Sequence, residues 1–90
     1  MRTAKELLVT GSVQGIGFRW RSKRIADELG VDGWVRNNPD GSVSLAIEGE
    51  EAVLNDYVER LGEALGYYIT DVRTTEIKPG KNREGFDVVH

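Results

Sequence analysis

No cysteine occurs in these 90 residues, which hold only one histidine, one methionine and two prolines. Without cysteine there are no disulfides, no thiolate nucleophile and no sulfur-ligated metal. Small secreted domains usually depend on disulfide staples, so a reducing cytoplasm is the expected compartment. Basic charge is also short: 12 Lys and Arg stand against 15 Asp and Glu, for a net charge of −3. Broad nucleic-acid binding needs a basic face, so none is expected, although a small local anion site fits this balance. No apolar run approaches the ~20 residues that span a bilayer, and nothing resembles a signal peptide. No membrane association is therefore expected. The carboxylates are scattered without metal-ligand spacing, and neither a metal nor another cofactor is expected. The lone histidine, His90, stands at the last position. A terminal residue is a poor general base, and His90 reads as incidental.

What is present suits one globular domain over residues 1–90, expected to be a monomer. Hydrophobic residues make up 39% and charged residues 30%. A chain this short buries about 60–65% of its unfolded surface, so its core must be one sheet with a few helices on it. Residues 5–13 alternate, with Leu7, Val9, Gly11 and Val13 on one side, as a half-buried strand does. From Phe18 the period becomes helical: Phe18, Ser22, Ile25, Ala26 and Leu29 form a stripe, and Gly30 is its stop. Residues 31–37 read as a second strand with Val31, Gly33, Val35 and Asn37 on one face. Asn38-Pro39-Asp40-Gly41 is turn chemistry. Residues 42–49 read as a third strand, with Val43, Leu45 and Ile47 inward, closing a hairpin. Residues 50–65 read as a second helix with Leu54, Tyr57, Val58, Leu61 and Leu65 buried and Gly66 as its stop. Residues 67–77 read as a fourth strand, 78–85 as a loop and 86–89 as a short fifth strand.

The order βαββαβ plus a tail is an α+β, ferredoxin-like α/β sandwich, with two helices on one face of a mainly antiparallel sheet. Trp34 is placed to shield part of the other face. The topology brings two distant segments together. A βαβ unit makes its two strands parallel, so the turn after strand one and Asn37 at the end of strand two lie at the same sheet edge. One strand intervenes in a split βαβ, which separates them by roughly 9–10 Å. Asn37 shares the face of Val31 and Val35, toward the first helix; Asn38 points the other way.

The turn itself, Gln14-Gly15-Ile16-Gly17-Phe18-Arg19, runs through two glycines into a helix start. Glycines allow main-chain N–H groups to converge, and a helix start leaves further N–H groups unpaired with partial positive charge. Together they suit a phosphate-like anion. By itself the signal is weak, because the segment also reads as a plain strand-to-helix turn and most such turns bind nothing. It lacks the Gly-Lys-Ser/Thr of a P-loop, and Trp20 stands where a dinucleotide loop wants a third glycine. Arg19 in the first helical turn opposes the helix dipole. A bound anion relieves that conflict and engages the guanidinium fork; otherwise Arg19 is a solvated surface side chain, as Arg21, Lys23 and Arg24 are read to be. Asn37 alone reads as turn initiation before Pro39. Its meeting with Arg19 favours a role in a site.

At these residues the sequence resembles the acylphosphatase family. Val9-Thr-Gly-Ser-Val-Gln-Gly-Ile-Gly-Phe-Arg19 is similar to that family's glycine loop and arginine, and Gly33-Trp-Val-Arg-Asn37 followed by Asp40-Gly-Ser-Val43 is similar to its second motif. The resemblance implies hydrolysis of a small-molecule acyl phosphate without a metal. It implies a phosphate cradle at Gln14, Gly15, Ile16, Gly17 and Phe18, a phosphate-binding Arg19 and a water-orienting Asn37. Ser12 departs from the pattern where a larger basic side chain is common, and His90 where an aromatic is usual; neither is expected to touch the two catalytic side chains. One alternative is a non-catalytic module of the same fold that binds phosphate or carbamoyl phosphate, as in the acylphosphatase-like domain of hydrogenase maturation proteins. Another is an RNA-recognition domain, which needs exposed aromatics on its central strands. Residues 42–47 supply none.

Overall fold

A computed structural model describes residues 1–80 and 84–90. The first alternating segment forms β1 (Arg2–Gly11), with Leu7 and Val9 buried beneath the helices. The helical stripe forms α1 (Phe18–Leu29), which buries Phe18, Ser22, Ile25 and Ala26; Gly30 closes it in the left-handed conformation (φ 75°) expected of a glycine stop. Then follow β2 (Asp32–Asn37), β3 (Val43–Glu50), α2 (Glu51–Leu65), a 3-10 turn over Gly66–Tyr68, β4 (Ile69–Ile77) and β5 (Phe86–Val89). The sheet order is β4-β1-β3-β2-β5, with β2 and β5 parallel and every other neighbour antiparallel. The expected split βαβ is thus present, with β3 between β1 and β2.

Strand direction fixes which ends meet. β1, β2 and β5 all run toward the same edge, so residue 12, Asn37 and His90 arrive there together. At that edge Gly11 (φ 133°) ends β1 in a register shift. A Cβ on Gly11 would lie 2.3 Å from the Tyr68 carbonyl oxygen, so only glycine lets the start of β4 approach this closely. The opposite edge is held by charge. Glu48, 5% exposed, accepts from Arg2 Nε at 2.8 Å and from the Gly80 N–H at 2.6 Å. Arg2 Nη2 also reaches Asp32, whose other oxygen accepts from the Gly85 N–H at 2.8 Å. These bonds tie both ends of the β4–β5 connection to the sheet; residues 81–83 of the expected loop lie outside the described residues. Trp34 is half-buried on the helix-free face, with the Arg36 guanidinium 5.1 Å from its ring centroid.

Two expectations need correction. Val58 was expected in the buried face of α2 but is 40% exposed. It borders an apolar groove of about 340 Å³ with Val72 and Thr74, because α2 leaves the outer edge at β4 uncovered. Gly66 does stop the α-helix, yet in a right-handed conformation (φ −57°, ψ −29°) that continues into the 3-10 turn. That turn takes residues 67 and 68 from the expected fourth strand, which begins at Ile69.

Candidate active site

The first turn of α1 is built without a cap. Its N-cap is Gly17 (φ 74°, ψ 21°), which has no side chain to bond the free N–H groups, and the first turn holds no acidic residue. Gly15 is also left-handed (φ 82°), and a Cβ on either glycine would meet nothing within 4 Å. Their service here is conformational: left-handed backbone at two alternate positions turns consecutive N–H groups toward one side. Arg21 N–H donates to the Gly17 carbonyl at 2.9 Å; the Val13–Ile16 turn engages the Ile16 N–H, whereas the main-chain N–H groups of Gln14, Gly15, Gly17, Phe18 and Arg19 have no hydrogen-bond partner among the described residues.

Packing below holds this turn still. Phe18 and Val13 are buried in the core, and Ile16 packs against it. Ser22 Oγ donates back to the Arg19 carbonyl at 2.9 Å. Tyr57 of α2, fully buried, donates to the Ser22 carbonyl at 3.2 Å, so the helix carrying Arg19 is pinned to its neighbour. Burial pushes the Tyr57 phenol well above its usual range, with the Ser22 bond opposing this.

Arg19 and Asn37 meet as the topology requires. Both line one cavity of about 90 Å³ together with Val13, Gly15, Gly17, Phe18 and Trp20. Asn37 is half-buried, and its carboxamide has no partner among the described residues. Asn38, not Asn37, does the turn's work. Its N–H donates to Ser42 O, and its Nδ2 reaches Ser42 Oγ and Ser44 Oγ on the far face. The turn reading of Asn37 therefore has no structural support. A broader, shallow depression of about 410 Å³ runs beside Trp20 along α1, but no ring of free N–H groups faces it.

Gln14 and Ile16 do not line the cavity. The Gln14 amide instead donates to the carbonyls of Asn38 (2.8 Å) and Ser42 (2.9 Å), lashing the turn to the β2–β3 hairpin. That hairpin is stiffened by Asp40, which accepts from Ser42 Oγ at 2.6 Å and Ser42 N–H at 2.9 Å. Those two bonds, the hydroxyl's first, hold the Asp40 carboxyl below its usual range.

Val13, Trp20 and His90 were missed as site neighbours. His90 is the sharpest correction, because it touches Arg19: Nη1 lies 3.2 Å from His90 Nδ1 and 3.3 Å from the Val89 carbonyl oxygen. Trp20 packs at a tilt on the same imidazole, with centroids 6.4 Å apart. No local signal in the sequence could have found this contact; it follows from the direction of the fifth strand, which pairs in parallel with β2 and delivers its last residue beside Asn37.

Known proteins share this arrangement of elements. The acylphosphatase family model matches residues 5–88. The acylphosphatase of Lactobacillus gasseri is 38% identical over 84 residues, covering 91% of this chain and 92% of its own. That of Archaeoglobus fulgidus is 39% identical over 89 residues, covering 97% and 98%. The crystal structure of acylphosphatase from Bacillus subtilis aligns over 100% of both chains with a TM-score of 0.90 at 33% identity.

Proposed function

This chain belongs to the acylphosphatase family and hydrolyses the carboxyl–phosphate bond of acyl phosphates, and we propose that Arg19, Asn37 and the Gln14–Phe18 main chain carry that reaction. The supporting observation is the single cavity that Arg19 and Asn37 share beside unpartnered N–H groups. Arg19 and those groups grip the non-bridging oxygens of the phosphoryl group, and Asn37 holds a water in line with the leaving carboxylate. The water oxygen bonds to phosphorus as the phosphorus–acyl oxygen bond breaks, and the carboxylate departs with the electron pair. A carboxylate is a good leaving group, so no strong general acid is required. The amide of Asn37 cannot take the water's proton at neutral pH; it goes to a phosphate oxygen of the substrate. Phosphoryl transfer has a loose transition state, and positioning with charge stabilisation supplies most of the catalysis.

One chain of one domain supplies every group named, and the protein works as a monomer. Among the described residues, no helix is long and apolar enough to cross a membrane. We place it in the cytoplasm, where its cysteine-free chain needs no oxidising environment. The test is Arg19→Ala. Losing a charged, two-pronged phosphate contact lowers kcat/KM for benzoyl phosphate by about 10²–10³ and weakens inhibition by phosphate. Arg19→Lys restores charge without the fork and recovers only part of it. An Arg19→Ala enzyme within threefold of wild type contradicts the assignment.

A further inference from the structure

We propose that the His90 side chain is a positioning residue for Arg19, holding the guanidinium toward the anion site through an unprotonated Nδ1. The inference rests on Arg19 being the phosphate ligand. β5 pairs in parallel with β2, with Val89 beside Arg36. One residue further, alternation turns His90 to the helix-covered face, level with Asn37. There Arg19 Nη1 meets two acceptors, Val89 O at 3.3 Å and His90 Nδ1 at 3.2 Å. A guanidinium has only donors, so the second contact requires a lone pair on Nδ1 and places the ring proton on Nε2. The end of the strand thus occupies Nη1 and leaves Nη2 and Nε as the fork for an anion. Trp20 backs the imidazole, which limits the freedom of an otherwise flexible arginine.

Protonation converts Nδ1 into a donor and sets two cations side by side, so the contact is lost. From α1, the charged groups toward β5 are Arg19 itself and Lys23, which is committed to Asp27 and the Phe86 carbonyl. Asp87 and Arg36 alternate onto the opposite sheet face.

The experiment measures inhibition by inorganic phosphate at pH 8. The proteins are wild type, His90→Phe, His90→Gln, Arg19→Ala and the Arg19→Ala/His90→Phe pair. Phenylalanine keeps a ring against Trp20 but has no acceptor; glutamine restores a neutral one. At pH 8, His90→Phe weakens phosphate about fivefold and His90→Gln recovers most of that. In the Arg19→Ala background, His90→Phe has no further effect. The proposal is overturned if His90→Phe matches wild type at pH 8, if glutamine is as poor as phenylalanine, or if the loss persists without Arg19. Unchanged phosphate affinity in Arg19→Ala instead refutes the assignment of Arg19 and removes the basis for His90's role.

Discussion

Truncating Asn37 to alanine separates catalysis from folding more cleanly than any other change in this site. Its carboxamide has no partner among the described residues and faces a cavity of about 90 Å³ rather than the core. Its backbone pairing with Val43 in the hairpin does not need the side chain. Stability should therefore shift by no more than about 0.5 kcal/mol, as for substitutions that remove no packed or bonded group. Turnover should respond very differently. Losing one positioned hydrogen-bonding group at a transition state costs about 2.7–4 kcal/mol, or 10²–10³ in kcat. Arg19 and the main-chain N–H groups remain, so KM for benzoyl phosphate and inhibition by phosphate should stay within about threefold. The assay follows benzoyl phosphate hydrolysis by absorbance, with kcat and KM resolved separately and a thermal melt alongside. A near-normal kcat, or a loss confined to KM, refutes the reasoning.

Arg2→Ala leaves Glu48 nearly buried with, among the described residues, the Gly80 N–H as its one remaining partner. Because Arg2 is about half exposed, the cost should be about 1–2 kcal/mol, below that of a fully buried pair; urea unfolding reads it, with kcat unchanged. Gln14→Ala removes two amide bonds to the hairpin and should cost about 1–2 kcal/mol of stability, while phosphate affinity falls less than about fivefold; a hundredfold loss would return the amide to direct ligation. Asp40 titrates lower when folded than its ordinary 3.8 because of Ser42. Its contribution is therefore fully present above about pH 4 and fades as pH falls through the depressed value. The melting-temperature gap between wild type and Asp40→Ala should be constant at neutral pH and close below pH 4.

Local rules carried much of the fold into view. The stripe from Phe18 to Leu29 and the glycine after it set the limits of α1 because both signals act within a turn or two of the backbone. Parallel strands in a βαβ unit brought Arg19 and Asn37 to one edge from connectivity alone. Features decided by distant partners stayed hidden. Gln14 bonds carbonyls 24 and 28 residues away, and nothing local says its amide turns from the cradle to the hairpin. His90 meets Arg19 across 71 residues, through a strand whose direction the sequence leaves open. Val58 lies on the apolar stripe of α2, but the stripe cannot show that the sheet beneath ends uncovered at β4.

The most direct measurement is a crystal structure of this protein grown with inorganic phosphate. One phosphate should rest on the N–H groups of Gln14, Gly15, Gly17, Phe18 and Arg19, with the Arg19 fork on its oxygens and the Asn37 carboxamide facing it across a single water. A phosphate bound elsewhere, or those N–H groups found bonded to carbonyls of the protein itself, contradicts the account.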